Sequence, residues 1–155
     1  MAKKSTRPGW DEYWLKIMDA VGERATCLRG KFGCVIVRDN VILSTGYVGA
    51  PKGAPQCDEV GCLMKEVKHG DGHVSEHCKR TVHAEANAIL QAAKNGVRIS
   101  DATLYCGKCP CRDCAMLIVN SGIKRVIVRE DYHESADTKQ MFADAGIELV
   151  ILENQ

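Results

Sequence analysis

The 155-residue chain is 45% hydrophobic and 26% charged, which suits one domain spanning 1–155 with a real core and a globular rather than a disordered chain. Its net charge of +1 argues against a nucleic-acid-binding protein, which usually shows a basic excess, but leaves room for a small anionic substrate. Nine cysteines follow a polar start with no apolar run, so they read as reduced cytoplasmic thiols and metal ligands, not a secreted disulfide framework. No stretch approaches the ~20 apolar residues of a membrane span.

Residues 1–8 are polar and expected to be loose. Trp10, Trp14, Ile17, Met18 and Val21 then fall at helical spacing, which predicts an amphipathic helix over 10–24 with both tryptophans as core anchors. The runs 33–37 and 41–46 flank Arg38-Asp39-Asn40 and predict a β-hairpin. The loop 46–53 holds Tyr47 and Val48 among three glycines, Gly49 included, and Pro51; such a backbone can approach a ligand closely. Residues 54–80 lack clean periodicity and read as a long irregular insert carrying Cys57, Cys62, His69, His73, His77 and Cys78.

Thr81 is the expected N-cap of a helix running to about Asn95, apolar nearly all round and therefore buried. A strand over 102–106, a helix over 111–120 with Pro110 in its first turn, a strand over 124–129, a helix over 135–145 and a strand over 147–152 complete the chain. Strands alternating with helices predict an α/β fold: a largely parallel sheet with helices on both faces, apart from the opening hairpin.

Two stretches carry chemistry. Thr-Val-His-Ala-Glu-Ala-Asn (81–87) places Glu85 two residues after His83, and Cys-Pro-Cys-Arg-Asp-Cys (109–114) places Cys111 and Cys114 at i, i+3. One imidazole and two thiolates are three of the four ligands of a tetrahedral zinc, with the fourth position open to water as catalysis needs. Cys111 and Cys114 share one face of a helix start, where the helix dipole and free N–H groups favour thiolate. Glu85 is then the expected proton shuttle. The order and spacing match the established H-x-E … P-C-x-x-C signature of zinc-dependent base deaminases. A rival set, Cys106-x-x-Cys109-x-Cys111-x-x-Cys114, leaves too little chain between its two pairs to wrap one metal, and Cys106 and Cys109 are read as buried or near-site residues. Cys34 is read as core.

From Trp10 to about Leu152 the chain resembles the deoxycytidylate (dCMP) deaminases of the cytidine deaminase superfamily. The resemblance rests on Trp10-Asp11-Glu12-Tyr13, Arg24-Ala25-Thr26-Cys27, Ser44-Thr45-Gly46-Tyr47, Gly49-Ala50-Pro51-Lys52-Gly53, the two site stretches and Ser121-Gly122-Ile123-Lys124. It implies a three-layer α/β/α sandwich on a five-stranded mixed sheet. It implies zinc-dependent hydrolysis of dCMP to dUMP with release of ammonia, a homo-oligomer of up to six chains, and dCTP and dTTP as effectors. It makes Tyr47, Val48, Gly49, Ala84, Asn87 and Pro110 the candidate substrate contacts. Three positions depart from the family pattern: Val48 stands where an Asn is common, Gly107 where a Thr is usual, and Cys109 precedes Pro110. Val48 and Gly107 open the alternative of the same chemistry on another amino-heterocycle. A catalytically silent nucleotide-binding or zinc scaffold is the reading from a different class, and Glu85 argues against it.

The remaining donors predict a second, structural zinc. Cys27, Cys57, Cys62, His77 and Cys78 offer five candidates for four places, with Cys27, Cys57 and Cys78 preferred and His77 or Cys62 the fourth. A segment with so few apolar residues needs a staple in place of a core. His69 and His73, among Gly70, Asp71 and Gly72, are expected to face solvent. Arg24, Arg29, Lys31 and Lys52 are candidate anion contacts.

Overall fold

Asp39 and Asn40 both take left-handed backbone, with φ of 52° and 57°. That is the two-residue hairpin turn whose twist matches the strands it joins. It links β1 (Gly33–Arg38) to β2 (Val41–Tyr47) in antiparallel register, with a bulge between Ile36 and Val37. The computed structural model describes residues 6–153. Ahead of the hairpin lies α1 (Trp10–Gly22). After it come α2 (Cys57–Val60), β3 (Met64–Lys68), β4 (Val74–Cys78), α3 (Ala84–Lys94), β5 (Thr103–Lys108), α4 (Arg112–Asn120), β6 (Arg125–Glu130), α5 (Ala136–Asp144) and β7 (Glu148–Ile151). The loose start expected over 1–8 falls largely outside the described residues.

Five strands form one sheet in the order β2-β1-β5-β6-β7. β1 is antiparallel to both β2 and β5, and β5, β6 and β7 run parallel. The sheet is therefore mixed, as the resemblance implied. Its central strands are buried on both faces, which is why they read as near-continuous apolar runs. Val35, Val37, Tyr105 and Ile127 face α1. Cys34, Ile36, Leu104, Cys106, Val126 and Val128 face the opposite way, onto Ala84, Ala88 and Ala92 of α3, Ala115 and Ile118 of α4, and Phe142 of α5. Three helices thus cover one face and α1 the other. Gly46 lets α3 sit close on β2: a β-carbon there would lie 2.4 Å from both the Ala84 carbonyl oxygen and the Ala88 nitrogen.

Several elements differ from their sequence expectation. Residues 54–80 are not irregular throughout, because β3 and β4 pair as a separate antiparallel hairpin. Its strands escaped notice because Met64 and Val74 are exposed and the positions between are mostly Lys, Glu and Ser, so no apolar alternation marks them. α3 begins at Ala84, with His83 as N-cap. Val82 is held in an extended bridge with Gly49, which blocks an earlier start, and the Thr81 hydroxyl donates to the Cys78 carbonyl. Leu90 on α3 is exposed, so that helix is buried along one side only. Trp14 is a core anchor, but Trp10 is 57% exposed and stacks on Trp14 from outside.

Candidate active site

His83 and Cys111 occupy equivalent places, the N-caps of α3 and α4, and neither side chain caps its own helix. Both are free to point outward. Cys114 follows in the first turn of α4. The three converge: His83 Nδ1 lies 3.5 Å from Cys111 Sγ and 3.5 Å from Cys114 Sγ. Donors at zinc–sulfur and zinc–nitrogen bond lengths around one tetrahedral ion stand roughly 3.5 Å apart, so the spacing fits a zinc. Cys106 and Cys109 lie outside this donor group. Cys106 is buried and donates to the Lys108 carbonyl, and burial pushes both thiols up, Cys109 to about 11.

The electrostatics agree with the donor set. The Cys114 hydrogen bond, with help from His83, brings the Cys111 thiol down to about 4, and the Cys111 sulfur raises the His83 imidazole to about 9. Cys114 is correspondingly raised by its bond to Cys111. The cluster already stabilises a thiolate, the form that zinc takes. Glu85, one residue inside α3, has its carboxyl raised by burial, and it lies against Cys106. A raised carboxyl can carry a proton nearer neutral pH than a free one.

These groups open onto a cavity of about 530 Å3 at the edge where β1 begins and β2, β5 and β6 end. That size suits a small organic ligand. Val48 and Ala84 line it together with His83, Glu85 and Cys111. Tyr47, Gly49, Asn87 and Pro110 do not. The Asn87 amide donates instead to the Tyr47 and Val82 carbonyls, locking α3 to the end of β2. Pro110 is fully buried, and its carbonyl accepts a bond from the buried Thr138 hydroxyl.

Of the four basic candidates, Arg29 alone lines the cavity, and it donates to the Glu76 carbonyl. Phe32, Lys108 and Tyr132 also line it and were not singled out in the sequence. Lys108 ends β5 and Tyr132 follows β6, so the rule that ligands bind at the carboxyl ends of parallel strands pointed to both.

A second donor group sits at the base of the β3–β4 hairpin. Cys57, Cys62 and Cys78 offer sulfurs that all lie within 4.8 Å of one another, with Cys57 Sγ 3.7 Å from Cys78 Sγ. Two sulfurs on one tetrahedral zinc stand roughly 3.8 Å apart. Burial raises Cys57 to about 12. Burial also pushes Cys78 up, but the Arg80 and Leu63 backbone and its sulfur neighbours outweigh it and bring it to about 7. Cys27 and His77, both among the five candidates, lie outside the group. Cys27 packs with Ala25 and Val48. His77 precedes Cys78 on β4, so it points to the opposite face of the strand, where its Nε2 meets Ser75 Oγ at 2.8 Å.

Residues 8–130 match the family model of the cytidine and deoxycytidylate deaminase zinc-binding region. The chain belongs to this family. It is 36% identical to the deoxycytidylate deaminase of Schizosaccharomyces pombe over 92% of its own length, although it spans only 44% of that relative. It is 41% identical to the deoxycytidylate deaminase of Mycobacterium phage D29, covering 79% of this chain and 95% of the phage protein. The dCMP deaminase of cyanophage S-TIM5, solved in complex with dCMP and dUMP, superposes with a TM-score of 0.74 at 28% identity. That alignment covers 94% of this chain and 98% of the cyanophage chain. The cytidine deaminase-like α/β fold follows, as the mixed five-stranded sheet has it.

Proposed function

We propose that this deaminase-family chain hydrolyses the amino group of a cytosine nucleotide, dCMP to dUMP with release of ammonia, using a zinc held by His83, Cys111 and Cys114. The observation that carries the reading is the placement of Glu85 one residue inside α3, beside the three converging donors and on the same cavity. Bound zinc supplies a water acidified toward neutral pKa. Glu85 would take one proton of the attacking water and deliver it to the ring nitrogen, and would pass the water's second proton to the amino group, so that the C–N bond breaks and ammonia leaves as the carbonyl forms. Ala84 and Val48 bound the space for the base, and Arg29 and Lys108 offer positive charge for the phosphate.

The same reading includes a structural zinc held by Cys57, Cys62 and Cys78, which the sulfur spacing supports. It also includes a homo-oligomer. Leu90, Met116 and Leu117 lie exposed on α3 and α4, two helices that pack side by side, and suit a second copy of the chain. dCTP and dTTP as effectors rest on the family resemblance.

The test is ammonia release across a panel of cytosine, adenine and guanine nucleotides, with Glu85→Gln beside the wild type. dCMP should lead the panel. Glu85→Gln should keep its zinc and lose at least about 10²–10⁴ in turnover, the usual worth of general acid–base help. Normal turnover by Glu85→Gln would show the assigned proton shuttle to be wrong.

A further inference from the structure

Four side chains, two of them (His73 and His133) on the cavity wall, are used by nothing described above. His69 and His73 flank the turn between β3 and β4, and His133 and Glu134 lie in the loop between β6 and α5. No motif associates them, and His69 and His73 were expected to face solvent. In the fold, Nε2 of all three imidazoles points at one carboxylate oxygen, Glu134 Oε1: His73 at 3.2 Å, His69 at 3.5 Å and His133 at 3.5 Å.

That oxygen has no exposed surface and no hydrogen-bond partner among the described residues. A buried carboxylate oxygen that accepts no hydrogen bond is costly and calls for a partner. Two of the three contacts are too long for good N–H···O bonds. They match the roughly 3.3–3.5 Å between nitrogen and oxygen donors sharing one tetrahedral ion. The other carboxylate oxygen, Oε2, accepts the Tyr132 hydroxyl at 2.8 Å. That bond aims Oε1 at the histidines, as outer-shell partners of metal ligands do.

We propose that His69, His73 and Glu134, whose donor atoms all lie within 4.8 Å of one another, form a third metal site for a divalent zinc-like transition ion, with His133 beside it against Glu134. Imidazole and carboxylate together suit such ions. A phosphate is the poorer occupant, because the histidines surround a carboxylate oxygen that would repel it. His69 must yield one bond to bind the ion, since its Nε2 also meets Ser75 Oγ at 2.7 Å. The site joins the hairpin turn to the loop that carries Tyr132. His73, Tyr132 and His133 all line the cavity, so the ion would brace the rim of the candidate active site.

The test uses the full chain with its cysteine sites already loaded, dialysed against a series of free Zn2+ concentrations. Thiol titration counts cysteine-bound metal separately. Wild type should hold one zinc more than His73→Ala or Glu134→Ala, with thiol protection the same in all three. Tyr132→Phe should bind that extra zinc about 10–100-fold more weakly. Added Zn2+ should slow proteolysis within 69–73 in wild type and not in His73→Ala. His73 is half-exposed, so that variant is expected to fold. Equal zinc content in wild type and both alanine variants at every concentration would overturn the proposal. So would metal-free binding of inorganic phosphate that depends on His69 and His73.

Discussion

Val48 concentrates the question of substrate choice. It is 5% exposed, it packs on Ala25 and Cys27, and its side chain borders the cavity. Its backbone is fixed on both sides, the N–H to the Phe32 carbonyl and the carbonyl to the Thr26 N–H. A side-chain change there should therefore alter the cavity wall without moving the strand end. Valine offers the base no hydrogen bond, and losing one specific bond can change discrimination greatly. Val48→Asn should raise kcat/KM for dCMP relative to other amino-heterocycles, at a stability cost of about 1–3 kcal/mol if the amide finds no partner without substrate. A wild type highly active on dCMP and impaired by Val48→Asn would reverse this reading.

At the scale of elements, α1 is tied to the sheet by two ionic contacts, Asp19 to Arg129 at 2.6 Å and a fuller one at Asp11. The Asp11 carboxylate accepts two bonds from the Arg125 guanidinium, at 2.9 and 3.0 Å, and one from the Tyr105 hydroxyl at 2.8 Å. Burial raises the Asp11 carboxyl, but the Arg125 and Tyr105 bonds outweigh it and hold it below its ordinary value. A carboxyl lowered by folding contributes stability above its unfolded pKa of about 3.9 and loses it as pH falls through the folded value. Asp11→Asn should therefore cost roughly 1–2 kcal/mol in urea unfolding at pH 7, after allowance for partial exposure. The gap to wild type should begin to close below about pH 4 and go on closing at lower pH. A gap that widened on acidification would contradict this account.

The β3–β4 hairpin is the second element at issue. A lone two-stranded hairpin is marginal in water. The base of this one carries the Cys57–Cys62–Cys78 group and the bond from the Lys79 N–H to the Leu63 carbonyl, and Arg29 donates to the Glu76 carbonyl along its side. Cys57→Ser should lower the zinc content by one per chain and open residues 64–78 to proteolysis. Unchanged metal content in that variant would leave the three thiols without the proposed role.

For the whole molecule, the uneven layering matters. Three helices cover one face of the sheet, and two of them expose apolar side chains: Leu90 is 58% and Leu117 44% accessible. Removing such a patch from water on self-association is worth roughly 25 cal/mol per Å2 buried. The double variant Leu90→Glu, Leu117→Glu should sediment as a smaller species than wild type. An unchanged sedimentation coefficient would place any oligomer interface elsewhere.

The sequence by itself determined whatever depends on local period and fixed spacing. The place of the first turn was legible at Asp39-Asn40, the buried strands in their apolar runs, and the donors His83, Cys111 and Cys114 in their two motifs. Such features need only a few neighbouring residues to exist. Tertiary structure decided what distant segments do to one another. It turned Trp10 outward, started α3 at Ala84 because Gly49 holds Val82 extended, and chose Cys62 over Cys27 and His77 for the hairpin group. It also brought His69 and His73 to Glu134, some sixty residues away in the chain. Side chains on a polar hairpin carry no hydrophobic period, so nothing local records which loop they meet; only closure of the sheet and docking of the hairpin set that distance.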